Sequence, residues 1–493
     1  MVWHIFKKDW KLLWPMVVGV ALINLVERVI LSSIGWFAFD RVSPLTNMSY
    51  FFGGISLLAT ALLVVIVVLQ DAIPGLRQDW LIRPIRRRDL MLSKILFVVL
   101  VAQCPIFVTE VGQGLAAGFP LWQSVGAPFS RSVWMLLALD LPLLAFATLT
   151  RNLTETISAA VAVLLGFALF TTPMLGRAMG NAAIAGVVDS IQLIWGLLAV
   201  GAVLGLQYYG RKIIPARWVY GGAALVWLCA QLLPWQPAFA IQQRVSLQPE
   251  ASNSVQITFD PGLGRLPPKG FDTRFFVMSE PQRDVLLYVP LRMSNVGAGR
   301  LLNVDQMTAR VTGPGGQAIE LPHSPPRSYA DAHQLTLVPV SIYNGIKDQS
   351  VRLEMDYSLT LLQADPEQSM PALDGDQKVP GVGRCATRTN LSASRVELGC
   401  LAQGKGPIAT WFLESTRTGQ RNAESMTPSG DYAPYFGRID GDSMNRFWGN
   451  LPFEGEESQL KDERVVFRVY RPLSHFTRQV VIPNIRMSDW KAE

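Results

Sequence analysis

The chain has 493 residues, which is long for one domain and predicts at least two. Its net charge of +6 is uneven, with +7 in residues 1–235 and −1 in residues 236–493. The basic residues of the first half lie between long apolar runs. Such placement is typical of a multi-span membrane protein and argues against a nucleic-acid surface.

The N-terminal segment predicts a helix on the membrane surface over residues 1–14. Four of its apolar residues fall near one helical face, with the lysines mostly elsewhere: Val2, Ile5, Phe6 and Trp10. Pro15 favours a bend between this helix and the first membrane span. The alternative is a simple helical extension of that span.

Apolar runs then predict about seven transmembrane helices, because about 20 residues cross a bilayer. They fill a transmembrane region at 12–235, at roughly 12–36, 49–70, 91–114, 132–150, 154–174, 189–209 and 217–235. With the N-terminus in the cytoplasm, thirteen basic residues lie in inner segments and three in outer loops. Seven spans would place residues 236–493 outside the cytoplasm.

Charged residues inside the predicted spans are costly and indicate a partner or a cavity. The set is Glu27, Arg28, Glu110 and Asp140. At about 1.5 Å per helical residue, the three acids fall roughly 18 to 22 Å from the inner face. We therefore expect one polar layer in the outer half of the bilayer. It could line a substrate route, or it could be a structural cluster neutralised by Arg28 or by protonation.

The second half alternates apolar and polar residues between Gly/Pro-rich turns, which predicts an all-β, sandwich-like domain over 236–493. The predicted strands are 254–260, 284–294, 306–312, 333–342, 351–361, 463–473 and 478–485. Residues 365–460 are less regular, and we expect long loops there. Cys385 and Cys400 could form a disulfide, which fits an oxidising compartment, or could be unrelated.

No motif in the sequence predicts catalysis or a metal site. The chain lacks a phosphate-binding loop, a C-x-x-C pair, an H-E-x-x-H motif and a G-x-S-x-G elbow, and its four histidines are scattered. We predict that the chain is not an enzyme and carries no cofactor.

The basic loop at 71–90 predicts a short helix at the inner membrane surface. Asp71 can cap this helix, and Pro74 suits its first turn. Leu76 and Trp80 contribute to an apolar stripe, and Pro84 ends the helix.

The same loop carries a W-L-x-R-P-I-x-R-x-x-L-x-x-x-K pattern that ends at Lys94. With the N-terminal segment and the "LTRN" at 149–152, it resembles the permease subunits of type-2 ATP-binding-cassette exporters. The resemblance covers residues 1–210. In this family, such a loop contains the coupling helix that contacts the ATPase subunit.

The resemblance implies a cytoplasmic ATPase partner that binds ATP and Mg²⁺, and a second permease chain, identical or different. The implied contact residues for the ATPase are Leu76, Arg77, Asp79, Trp80 and Arg83. It also implies residence in the inner, cytoplasmic membrane, with the β domain in the periplasm if the cell is Gram-negative. A seventh span and the external domain depart from the family's six-span plan. A membrane-anchored sensor or scaffold that binds an envelope partner, a secondary transporter and a membrane enzyme are the alternatives.

Overall fold

A computed structural model gives the fold of most of the chain. It describes residues 1–33, 44–70, 86–171, 185–210, 212–230, 235–263, 284–321, 327–329, 332–390, 394–403, 408–421, 425–426, 444–453 and 457–491. The predicted coupling helix lies outside these ranges.

The described N-terminal half is helical because its sequence consists of long apolar runs. Its helices are α1 (Val2–Ser33), α2 (Pro44–Leu69), α3 (Arg87–Phe97), α4 (Cys104–Ala116), α5 (Leu121–Met135), α6 (Leu141–Ala147), α7 (Leu153–Thr171), α8 (Ala185–Tyr208) and α9 (Ile213–Ala230). Two π-helical segments, π1 (Val98–Gln103) and π2 (Leu136–Asp140), join α3 to α4 and α5 to α6.

Five stretches of the described residues are long and apolar enough to cross a membrane: Val2–Ile30, Phe51–Leu69, Arg88–Ala116, Leu121–Ala147 and Ser190–Tyr208. With α7, the structure supports about five to six long apolar helices instead of the seven predicted. Residues 217–230 of the predicted seventh span lie in α9, an 18-residue helix that is not among the five.

The fourth span begins earlier than predicted, at Leu121 instead of residue 132. Pro128 and Arg131 interrupt the apolar run in the sequence, which made residues 121–131 read as a loop. The helix accommodates both residues: Pro128 lies within α5, and Arg131 is paired with a buried carboxylate of α4.

The predicted surface helix at residues 1–14 and the first span are one continuous helix, α1, with Pro15 inside it. At about 1.5 Å per residue, its 32 residues extend about 48 Å, well beyond a hydrocarbon core of about 30 Å. The structure therefore favours the helical extension over two helices separated at Pro15.

Each π segment precedes a proline at the start of the next helix. Pro105 follows π1, and Pro142 follows π2. Proline lacks a backbone N–H, and its ring collides with the carbonyl four residues earlier. A locally widened turn relieves this conflict, so the two prolines account for the positions of the π segments.

The second half is β-rich, with antiparallel sheets and a half-barrel, as the alternation predicted in outline. Its strands are β1 (Gln256–Phe259), β2 (Asp284–Ser294), β3 (Arg300–Thr312), β4 (Ala318–Glu320), β5 (Arg327–Tyr329), β6 (Ala332–Pro339), β7 (Val351–Ala364), β8 (Gln368–Pro371), β9 (Asp376–Val379), β10 (Gly383–Asn390), β11 (Arg395–Gln403), β12 (Ile408–Ser415), β13 (Ser425–Met426), β14 (Met444–Pro452) and β15 (Glu463–Ile485). Two helices, α10 (Trp235–Arg244) and α11 (Val340–Ile346), also lie in this half, so it is not all-β.

The strands form three sheets, with orders β1-β2-β6, β14-β11-β10-β9 and β13-β12-β15-β7-β3-β4. In the largest sheet β5 also pairs with β3, and β8 pairs with β15. The predicted strands 463–473 and 478–485 are one strand, β15, whose register against β7 shifts between Pro472 and Ser474.

Two apolar cores fill the β-rich region. Core A lies among β1, β2, β3, β6, β7 and the second half of β15, and core B lies among β8 to β12, β14 and the first half of β15. Core B shows that, for the described residues of 365–460, the prediction of long loops is wrong. Its strands are short and mixed in polarity, so their sequences lack the clear alternation of apolar and polar residues that predicts a strand.

Candidate functional site in the helical region

A buried ion cluster joins three helices near one end of the bundle. Glu110 of α4 is fully buried, and Nη2 of Arg28 in α1 lies 2.9 Å from its Oε1. Arg131 of α5 contacts the same carboxylate oxygen. Gln113 donates a hydrogen bond of 3.0 Å to the backbone carbonyl of Arg28. Buried charges persist only when they are paired, so the cluster fixes α1, α4 and α5 relative to one another.

A second buried polar pair lies where the two π segments meet. Nε2 of Gln103, the last residue of π1, donates to Oδ2 of Asp140, the last residue of π2. Both side chains are buried. In the described residues, Oδ1 of Asp140 has no hydrogen-bond partner. π-helical turns are frequent at functional positions in helices.

The structure splits the predicted polar layer. Gln103 precedes Glu110 by seven residues in one span, which places Asp140 about 10 Å from the level of Glu110. Glu27 precedes Arg28 in α1 and so lies near the level of Glu110, with its Oε1 3.3 Å from the position that a Cβ on Gly53 would occupy. Asp140 therefore lies outside the predicted layer, because the fourth span begins earlier in the sequence than predicted.

A third buried pair was missed by the sequence reasoning. Nζ of Lys94 in α3 lies 2.7 Å from Oδ2 of Asp9 in α1, and the two side chains are 1% and 0% exposed. The available signal was the single acid among the first 26 residues, opposite a lysine within an apolar run. The pair ties the N-terminal part of α1 to the start of the span that follows the basic loop.

The predicted ATPase contacts, Leu76, Arg77, Asp79, Trp80 and Arg83, all lie outside the described residues. The inner loop at 149–152 is described and well anchored. Arg217 of α9 donates to the carbonyl of Leu149 at 2.7 Å, and Asn152 Oδ1 accepts from the backbone N–H of Glu155 at the start of α7.

The β-rich region contacts the opposite end of the helical bundle from the Asp9–Lys94 pair. Arg384 of β10 donates to the carbonyl of Ala117 at 3.3 Å, in the turn between α4 and α5. The ammonium of Lys378 lies 5.7 Å from the ring centroid of Phe119 in the same turn. The side chain of Gln403 lies against Gly114, where a larger residue would not fit.

Cys385 and Cys400 are joined in a disulfide. They face each other across β10 and β11 in core B, and their exposed fractions are 0% and 3%. The bridge fastens two strands in the region that the sequence had suggested to be loops.

A hydrogen-bonded chain runs across β3, β7 and β15 to α10. Thr360 of β7 donates to Oδ2 of Asp305 at 2.6 Å and lies 2.7 Å from Nδ1 of His475. Nε2 of His475 lies 3.3 Å from Nε2 of Gln242 in α10. Asn303 also donates to Asp305, at 2.7 Å.

Both titratable members of this chain are strongly perturbed. Burial raises the pKa of Asp305 to about 7, against the lowering effect of hydrogen bonds from Thr360 and Asn303. Burial lowers the pKa of His475 to about 4. Asp305 is also the extra residue at a register shift between β3 and β7, and such irregularities often redirect a side chain.

The helices and their buried charges define a multi-span helical membrane protein with a separate β-rich region. No protein-family model, no curated protein and no solved structure matches the chain. Among the described residues, no group of three or more His, Cys, Asp or Glu side chains is placed to hold a metal ion.

Proposed function

We propose that the chain is the membrane-spanning permease subunit of an ATP-binding-cassette exporter of the type-2 class. A separate cytoplasmic ATPase subunit binds ATP and Mg²⁺ and supplies the energy. A second permease chain, identical or different, completes the substrate route. The membrane is the inner, cytoplasmic one, with the N-terminus in the cytoplasm and the β-rich region on the other side.

The Asp9–Lys94 pair is the observation that carries this proposal. Both residues belong to segments that resemble the exporter family, namely the N-terminal segment and the end of the W-L-x-R-P-I motif. The pair is fully buried and 2.7 Å long, so its two helices are joined where the basic loop enters α3. A push on that loop would therefore move α1 and α3 together, as coupling to an ATPase requires.

The two levels of buried polar side chains supply a second argument. A bundle that only anchored a domain would need no charge at membrane depth, where each charge is costly. The carboxylate of Glu110 is paired with two guanidinium groups, in the manner of a structural brace. The Gln103–Asp140 pair is the better candidate for the substrate route, because among the described residues its carboxylate contacts a neutral amide and no cationic side chain.

The placement of the β-rich region is compatible with a position across the membrane from the ATPase. Its contacts with Ala117 and Phe119 lie at the opposite end of the bundle from Asp9 and Lys94. The Cys385–Cys400 disulfide suits an oxidising compartment. Labelling of single cysteines in intact cells, at residue 2 and at residue 348, tests the orientation; equal access from outside would contradict it.

The decisive experiment is purification of the chain from its native membrane in mild detergent, followed by identification of its partners. We expect a co-purifying ATPase whose hydrolysis rate falls severalfold with Asp79→Arg. Asp348→Arg is the matched control, since it reverses the charge of an exposed residue in the β-rich region. A chain that purifies without an ATPase and shows no ATP-dependent behaviour would refute the proposal and favour a sensor or scaffold that binds an envelope partner.

Asp140→Asn tests the route within the same complex. We expect transport to fall while the protein keeps its elution volume and its ATPase partner. Glu110→Gln provides the comparison, because its expected effect is on the stability of the bundle. Unchanged transport in a correctly folded Asp140→Asn protein would remove the Gln103–Asp140 pair from the route.

A further inference from the structure

Helix α10 occupies a junction between the helical bundle and the β-rich region. Ala238 and Phe239 are buried and pack against Val187 at the start of α8. The ring of Phe239 also meets His475 edge to face, with 6.1 Å between ring centroids. Gln242 faces Nε2 of the same histidine. One side of α10 is therefore fully engaged by protein.

The position of α10 relative to the bilayer follows from its contact with α8. Val187 lies two residues before position 189, where the sequence predicts that the membrane-crossing part of α8 begins. Two helical residues correspond to a rise of about 3 Å. Consequently α10 lies at the level where α8 leaves the hydrocarbon, in the headgroup region of the bilayer.

Exposed aliphatic side chains lie at the C-terminal end of α10. Ile241 is 43% exposed, and Val245, just after the last helical residue, is 70% exposed. Leu247, two residues further on, is 79% exposed. Ile241 lies about 160° around the helix from Phe239, so it points away from the contact with His475. These three side chains form the apolar face at this end of α10. Exposed aliphatic side chains in a row are unfavourable in water and favourable at the boundary between headgroups and acyl chains.

The charge of the segment suits the same location. Arg244, in the last turn of α10, is exposed beside this apolar face. A guanidinium binds phosphate oxygens with two parallel hydrogen bonds. Lipid phosphates lie at the depth that α10 occupies, whereas a protein partner would have to supply an apolar surface there as well as an anion.

Other apolar side chains at this end of the bundle are exposed in the same way. Leu121 and Trp122, at the start of α5, are 64% and 71% exposed. The turn that precedes them holds Arg384 of the β-rich region. Tryptophan is enriched at the membrane–water interface, so the bilayer surface passes close to both points where the β-rich region meets the bundle.

We propose that the apolar face formed by Ile241 of α10 and by Val245 and Leu247 just after it inserts into the headgroup region of the bilayer and holds the β-rich region against the membrane surface. The lipid phosphates contact Arg244. The β-rich region then has a fixed height above the membrane, set by a helix that binds lipid on one side and His475 on the other.

Fluorescence quenching in lipid nanodiscs tests the proposal on the full chain. The free cysteines Cys104 and Cys229 are replaced by serine, which leaves the disulfide intact. A cysteine at Val245 is labelled with an environment-sensitive fluorophore, in nanodiscs of phosphatidylethanolamine and phosphatidylglycerol. The matched control is Val481→Cys, an exposed valine six residues beyond His475 on β15, about 20 Å along the strand.

We expect a lipid carrying a nitroxide near its headgroup to quench the label at residue 245 at least twofold and to leave the label at residue 481 unchanged. Aqueous iodide should show the reverse order. Quenching at residue 245 by iodide alone would place the face in water and overturn the proposal. Protection from both quenchers, or a cross-link between two copies through residue 245, would assign the face to a protein and also overturn it.

A second pair of variants guards against an artefact of the label. With the fluorophore moved to Leu247→Cys, Val245→Glu should reduce lipid quenching at least twofold, because a carboxylate is expelled from the acyl boundary. Val245→Leu keeps the apolar face and should leave quenching unchanged. Equal quenching in the two variants, with normal elution volumes, would contradict insertion of this face.

Discussion

Replacement of Asp305 or His475 should change the pH dependence of stability in opposite directions. Burial raises the pKa of Asp305 from 3.8 to about 7, so the folded state holds this proton more tightly than the unfolded chain. Its stabilising contribution is complete below pH 3.8 and is lost as the pH rises through 7. Burial lowers the pKa of His475 from 6.5 to about 4, so its contribution is complete above pH 6.5 and is lost as the pH falls through 4.

The magnitudes follow from the difference between the folded and unfolded pKa of each group, at about 1.4 kcal/mol for a tenfold change in proton affinity. The pKa of Asp305 rises by roughly three, which corresponds to about 4 kcal/mol of unfolding free energy. The pKa of His475 falls by roughly two and a half, which corresponds to about 3 kcal/mol. Between pH 4 and 6.5 the unfolding free energy falls with pH because of Asp305 and rises with pH because of His475, so the two effects oppose each other. The wild-type contribution of the pair should therefore be nearly flat in this window.

The variants Asp305→Asn and His475→Gln each remove one of these two contributions to the pH dependence of the unfolding free energy. Relative to wild type, Asp305→Asn should gain about 4 kcal/mol in unfolding free energy from pH 4 to 7, and His475→Gln should lose about 3 kcal/mol from pH 4 to 6.5. Urea unfolding of the full chain in detergent, read by pulse proteolysis of the β-rich region, measures both. Parallel pH profiles for the two variants and wild type would refute the reasoning.

Three further predictions concern packing and cross-links. Lys94→Met should destabilise the helical bundle by about 3–5 kcal/mol, seen as a lower melting temperature in detergent, because Asp9 is left charged and buried; a second change, Asp9→Leu, should restore most of the loss. Cys385→Ala should cost about 3 kcal/mol in urea unfolding through loss of the disulfide, and wild type treated with reductant should match it. Gly449→Ala should cost about 1–3 kcal/mol and shift the emission of Trp411, since the added Cβ would overlap its indole ring. Unchanged emission would contradict that packing.

The sequence predicted the helical first half and the β-rich second half because each depends on a repeated local pattern. Long apolar runs imply helices in a membrane, and alternation implies half-buried strands. The predicted helix boundaries were wrong where a charged residue interrupted an apolar run. Arg131 was predicted to lie in a loop, because the sequence alone does not show that the carboxylate of Glu110 neutralises it in the folded protein.

The buried sites were harder to predict because they depend on contacts between distant residues. The sequence singled out Glu110 and Asp140 as costly charges but could not assign their partners, which lie on other helices. It gave no sign of the link from Asp305 to His475, which are 170 positions apart. Their meeting at Thr360 requires three neighbouring strands in one register.

The long strand β15 has a consequence for the order in which the protein can fold. It lies between β12 and β7 and contributes residues to both core A and core B, and all the other strands that the structure describes precede it in the chain. During synthesis, the edges of β7 and β12 that pair with β15 in the folded protein therefore stay unpaired until β15 leaves the ribosome. Exposed edges recruit other strands, so the protein would depend on rapid completion or on chaperones during this interval. The β10–β11 pair with its cysteines precedes β15 and can close earlier.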